Sequence, residues 1–167
     1  MDRYELRENR FYLIDEELGI SIEEPFQGHV YRESYSSGAL FQESHYLGDL
    51  LHGPSQFYSE EGNLLVRHFF YQGKREGKGW QYYASGGLYA LERYLQGKRQ
   101  GKQEYYFEDG NRKSLLHYRS GLLEGEVLLF WPSGRKKREA KFIQGVRTGW
   151  DRIWEEDGTL KEEIYAG

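Results

Sequence analysis

The chain has 167 residues, which suits one domain or one short repeat array. Mean hydropathy is −0.87, yet 17% of residues are aromatic and 15 are Tyr, which excludes the aromatic-poor composition of a disordered chain. There is no Cys, hence no disulfide framework, Cys zinc site or thiol nucleophile, and a net charge of −4 argues against a general nucleic-acid binder.

The N-terminal residues, Met1 to Gly19, contain no apolar core of a signal peptide, and no segment reaches the roughly 20 apolar residues of a membrane-spanning helix. The expected location is cytoplasmic, with a membrane-peripheral site or export by a signal-less route as variants. Residues 1–45 hold 4 basic and 10 acidic residues, a net −6, whereas residues 46–167 are net +2. Within 1–28, Phe11–Tyr12, Gly19 and Phe26–Gln27–Gly28 look like a degraded copy of the unit repeated further along the chain, and this segment reads as an N-terminal cap. Residues 29–45, with Tyr35 and Gly38, read as an imperfect repeat.

From residue 46 to 167 the period is 24. Three glycine series hold it: Gly73, Gly97, Gly121, Gly145; Gly53, Gly77, Gly101, Gly125, Gly149; and Gly62, Gly86, Gly110, Gly134, Gly158. Two aromatic series share it: Tyr58, Tyr82, Tyr106, Phe130, Trp154 and Tyr46, Phe70, Tyr94, Tyr118, Phe142. Each unit divides into two strands and two turns. The stretch 79–83 is a strand, Ser85–Gly86 a turn, 88–94 a second strand, and Gln96–Gly97 the turn into the next unit. The Pro132–Ser133–Gly134 type of turn fits a three-residue loop closing on a left-handed Gly. Such a loop sets Phe130 opposite Lys136 and, counting on, Glu124 opposite Phe142; with a second turn that is also odd or contains a bulge, both aromatic series are expected on one face. The fold expected is all-β, an elongated single-layer antiparallel sheet of tandem 24-residue hairpins, growing by roughly 10 Å per repeat.

Segments such as Tyr71-Gln-Gly-Lys-Arg-Glu-Gly-Lys-Gly-Trp-Gln-Tyr-Tyr83 and Tyr94-Leu-Gln-Gly-Lys-Arg-Gln-Gly-Lys-Gln-Glu-Tyr-Tyr106 resemble MORN repeats, and the period most resembles the bacterial MORN-variant, antitoxin-like subgroup. The resemblance implies a protein-interaction scaffold, with phospholipid binding, dimerisation through the array or occlusion of a toxin as further roles among relatives. It implies no catalytic activity and no cofactor. Leu50–Leu51, Leu122–Leu123 and Val146–Arg147 depart from the Gly-Lys-Arg of other units.

The candidate partner-binding face consists of Tyr58, Tyr82, Tyr106, Phe130, Trp154, Phe70, Tyr94, Tyr118 and Phe142; the competing role for these rings is to stabilise a sheet with no deep core. Arg112, Lys113, Arg135, Lys136, Lys137 and Arg138 are candidates for an anionic ligand such as acidic lipid, or simply solubilise exposed strands. Trp150, Ile164 and Tyr165 mark the last strand as a candidate edge for a partner strand or a second copy. The five His residues give no ligand spacing for a metal. No nucleophile elbow or phosphate loop is present, and Glu155–Glu156 and Glu162–Glu163 fall at strand ends or turns. The expected function is therefore non-catalytic binding of another protein.

Overall fold

A computed structural model describes all residues, 1–167. The chain is all-β. Three strands, β1 (Arg3–Arg7), β2 (Arg10–Asp15) and β3 (Ile20–Pro25), form a small antiparallel meander. A second, fifteen-stranded antiparallel sheet begins with β4 (His29–Ser34), β5 (Leu40–Leu47), β6 (Leu50–Tyr58) and β7 (Leu64–Tyr71). It continues through β8 (Lys74–Arg75), β9 (Gly77–Tyr82), β10 (Leu88–Leu95), β11 (Lys98–Arg99), β12 (Gly101–Tyr106) and β13 (Arg112–Arg119). It closes with β14 (Leu122–Leu123), β15 (Gly125–Phe130), β16 (Lys136–Ile143), β17 (Val146–Trp154) and β18 (Leu160–Ala166). The long strands pair in chain order, and the two-residue strands β8, β11 and β14 add only to β7, β10 and β13, so the sheet is an open meander whose end strands, β4 and β18, each lack a partner on one side.

Glycine placement explains the two kinds of turn. In the first, the Trp131 amide donates to the Arg135 carbonyl (2.8 Å) and the Gly134 amide returns to the Trp131 carbonyl (2.8 Å), with Gly134 at φ 84°. This is the three-residue loop expected from Pro-Ser-Gly. The second is a two-residue turn in which both residues take positive φ, as in Gln96 (51°) and Gly97 (82°), the geometry that suits the right-handed twist of a hairpin.

Each repeat is also tied to the next through side chains. The amides of Gln96, Ser120 and Gln144 donate to Glu76 Oε2 (2.8 Å), Gln100 Oε1 (2.8 Å) and Glu124 Oε2 (2.7 Å), and the Gln72 amide donates to His52 Nδ1 (3.2 Å). At the other set of turns, the hydroxyls of Tyr35 and Tyr83 and the indole of Trp131 donate to the carbonyls of Tyr58, Tyr106 and Trp154. These bonds satisfy turn groups that a sheet ladder leaves unpaired.

The sheet is a single layer over β12–β18, but not throughout. The β1–β3 meander does not continue the sheet at its end; it lies across one face of β6–β10 as a second layer. The reason is visible in the side chains. Phe11, Leu13 and Ile20 of the small layer bury against Phe69, flanked by Tyr4, Leu6, Trp80 and Leu95, and form the only extended apolar core of the molecule. Acidic groups of the layer meet basic groups of the sheet: Arg93 Nε lies 3.0 Å from Glu17, and Lys78 pairs with Asp2 and Asp15. The Tyr4 hydroxyl donates to Asp15 and accepts from the Lys78 amide (3.0 Å), and an Arg67 Nη donates to the Tyr4 carbonyl (3.0 Å). The charge asymmetry along the sequence is thus used inside the molecule.

Candidate interaction surfaces

Strand alternation gives the large sheet a covered face, which carries the β1–β3 layer, and a free face. The two aromatic series do not share one of them. Phe142 stands opposite Gly125, not Glu124, because a bulge at Lys137 inserts one residue between the Leu129–Arg138 and Phe130–Lys136 pairs. Equivalent bulges fall at Phe41, Leu65, Tyr89, Lys113 and Lys161. Each shifts the side-chain parity by one. Tyr58, Tyr82, Tyr106, Phe130 and Trp154 therefore belong to the covered face, and Tyr46, Phe70, Tyr94, Tyr118 and Phe142 to the free face. The expectation of a single aromatic face is corrected accordingly.

On the free face no second layer is present, yet Ser44, Ser55, His68, Glu92, Gln103, Ala140 and Asp151 are buried, closed over by side chains from adjoining strands. Ser44 and Ser55 share a hydrogen bond (Oγ–Oγ 2.7 Å). Glu92 is the centre of the densest network. It accepts from Tyr105 (2.7 Å), Tyr94 (3.0 Å), Gln81 (3.1 Å) and Arg99 (3.2 Å). Burial pushes its carboxyl up, but the hydrogen bonds from Tyr105 and Tyr94 and the charge of Arg99 outweigh it, and the net shift is below the usual value. His68 lies edge-on to Tyr94, at 6.2 Å between ring centroids, and burial, helped by the Arg75 charge, lowers its pKa to about 4. A second charged cluster sits near the C-terminus, where Arg138 grips Asp151 through Nε (2.9 Å) and an Nη (2.7 Å) and Arg147 adds a third bond (2.8 Å). Both carboxylates are engaged by donors on adjacent strands. That arrangement ties strands together; it presents no unengaged acid or base at a cleft.

The free face is also hollowed in two places. A groove of about 390 Å³ runs over Tyr46, Leu51, Phe57, Val66, His68 and Phe70. A second cleft, of about 350 Å³, opens at the three-residue turns and is lined by Phe107, Lys113, Leu129, Trp131 and Lys137.

The basic positions do not form one stripe. Arg138 is committed to Asp151, Lys136 to Glu139, and an Arg135 Nη donates to the Glu156 carbonyl (3.1 Å). Lys113 and Lys137 sit by the aromatic cleft, while Arg112 stands opposite Tyr106 at a strand start. The His residues are used singly: His29 stacks on Tyr46, His45 Nδ1 contacts the Pro54 carbonyl (2.9 Å), His52 bridges Glu24 and the Gln72 amide, and His117 Nδ1 meets the Glu126 carbonyl (3.3 Å). No group of three or more His, Cys, Asp and Glu is gathered for a metal. At the last strand, Trp150 and Tyr165 pack edge to face at 5.0 Å and both stay exposed, whereas Ile164, opposite Asp151, points to the other face.

Sequence reasoning missed the Glu92 network and the bonds that link the repeats. A signal for the latter existed: the residues before the first four second-series glycines are His52, Glu76, Gln100 and Glu124, each a hydrogen-bond acceptor.

No curated protein sequence matches the chain. Two segments, residues 51–72 and 99–120, match the family described as MORN repeat variant. They lie two periods apart and each spans a three-residue turn with its flanking strands, so the match falls on the unit that the glycine spacing defines. MORN repeats in general take part in protein or membrane-lipid interaction and are generally non-catalytic.

Proposed function

We propose that this chain is a non-catalytic scaffold that seats a partner protein on the free face of its sheet, with the open edge of β18 as a second contact. The observation that carries the reading is the β1–β3 layer. On its covered face this sheet takes a β-layer on a row of rings bordered by charges, and the free face offers an uncovered row of the same kind around Tyr46, Phe57 and Phe70. At the edge, β18 has unpaired backbone groups beside exposed Leu160 and Tyr165, which suits a partner strand or a second copy of the chain.

Affinity capture from native lysate at low and high salt tests the first contact. One stoichiometric partner surviving high salt, and lost from a Phe57→Ala, Phe70→Ala variant with unchanged circular dichroism, is the expected result. Absence of any partner, or a partner retained equally by the variant, overturns the free-face reading. For the edge, Ile164→Lys should convert any dimer to monomer by mass. Binding of anionic lipid is the weaker reading, because Arg138 and Lys136 are drawn into ion pairs with Asp151 and Glu139. A toxin as the bound partner and a bacterial setting follow from the resemblance to the antitoxin-like subgroup.

A further inference from the structure

The repeats provide their own control for what belongs in the cleft at the three-residue turns. In two copies of that notch a chain of rings fills the space. Tyr35, Phe41 and Phe57 stand edge to face at 5.2 and 5.8 Å, and Tyr83, Tyr89 and Tyr105 do so at 5.3 and 6.0 Å. The middle ring in each is the bulged residue. One period after Tyr83, Tyr89 and Tyr105 stand Phe107, Lys113 and Leu129. The outer wall is kept, the middle ring becomes a lysine, and a cleft of about 350 Å³ remains, closed on its far side by Trp131.

Two ammonium groups line that cleft. Lys113 Nζ lies 5.8 Å from the Phe107 ring and Lys137 Nζ lies 4.2 Å over the Trp131 ring. Neither lysine makes an ion pair, although other basic residues at the neighbouring positions, Lys136, Arg138 and Lys161, each have a carboxylate. The site therefore lacks one ring and two counter-charges.

Resting on the partner-binding reading above, we propose that this cleft receives an aromatic side chain from an acidic segment of the partner protein. The ring enters between Phe107, Leu129 and Trp131, where Tyr89 sits one repeat earlier, and carboxylates on either side of it meet Lys113 and Lys137. An edge-to-face ring pair and a lysine ammonium beside the incoming ring each favour this occupant over an aliphatic or basic one.

The test uses the full chain and a synthetic acidic peptide, acetyl-Glu-Glu-Phe-Glu-Glu-amide, with Phe→Leu and all-Lys versions as comparators. Binding is read by amide and indole NMR shifts. The expected result is saturable shifts at Lys113, Leu129 and the Trp131 indole, weakening as salt rises, with at least tenfold weaker binding of both comparators. Lys113→Tyr rebuilds the ring chain found at Tyr89 and should abolish the shifts at unchanged thermal stability; Lys137→Glu should weaken binding more than tenfold without filling the cleft. Absent shifts, equal binding of the Lys peptide, or full binding by both variants overturns the proposal. Retention of the captured partner by Lys113→Tyr alongside its loss from the Phe57, Phe70 variant sinks this site and leaves the free-face scaffold standing.

Discussion

Phe69 and Phe70 are neighbours in sequence and, by strand alternation, point to opposite faces. Phe69 is 1% exposed and packs against Tyr4 (5.2 Å), Trp80 (6.4 Å) and Phe11 (6.5 Å) between the two layers. Truncating a fully buried Phe to Ala costs about 3–5 kcal/mol, the removed transfer energy plus the cavity left behind. Phe70 borders an open groove and is only partly buried, so Phe70→Ala forfeits roughly half of that, about 2 kcal/mol. Urea denaturation of both variants, followed by Trp fluorescence, should place the Phe69→Ala midpoint well below that of Phe70→Ala. Hydrogen exchange should locate the damage, because repeat arrays couple mainly to nearest neighbours. Phe69→Ala should loosen β1–β3 and β7–β9 and spare β15–β18. Equal midpoints, or a larger loss from Phe70→Ala, would mean that the faces are assigned the wrong way round.

Other consequences are as direct. Glu124→Ala removes the acceptor of the Gln144 amide and should cost about 1 kcal/mol, with faster exchange at that amide and little change at Gln96. His68, neutral in the fold with a pKa near 4 against 6.5 unfolded, makes the unfolded chain bind the extra proton between those values; stability should fall as pH drops from 6.5 towards 4, and His68→Gln should remove that part of the dependence in denaturation curves. Gly77→Ala and Gly110→Ala both place a side chain at positive φ (77° and 87°), but only at Gly77 does the new methyl meet Tyr4, at 2.6 Å. Thermal melts should therefore show a larger loss for Gly77→Ala, with exposure of the β1–β3 layer, and equal losses would contradict the packing of Tyr4 there.

The sequence made the turns legible because positive φ selects glycine, and glycine recurs at fixed spacing. It did not reveal the faces. The bulged positions are Phe41, Leu65, Tyr89, Lys113, Lys137 and Lys161, residues with no common chemistry, since a bulge in ordinary strand conformation makes no demand on the side chain. One unseen residue per hairpin was enough to move a whole aromatic series to the other side. Residues 3–25 carry the local pattern of a hairpin, and nothing local distinguishes a strand that extends a sheet from one that lies across it. The deciding contacts, Tyr4 to Lys78 and Glu17 to Arg93, join groups more than seventy residues apart. The cleft at Lys113 was visible as a basic position, but its meaning depends on the ring that the preceding repeat places there.

The bonds between successive turns also constrain how such a chain changes length. Each turn amide is held by an acceptor 20 residues earlier and, at the opposite rim, each donor reaches a carbonyl 23 residues later. Duplicating a whole 24-residue unit hands every donor a fresh acceptor in the same place. Adding or losing a single residue within a unit puts all bonds that cross it out of step. The molecule is a counted stack: its genes can lengthen or shorten it by whole modules, and intermediate lengths are closed to it.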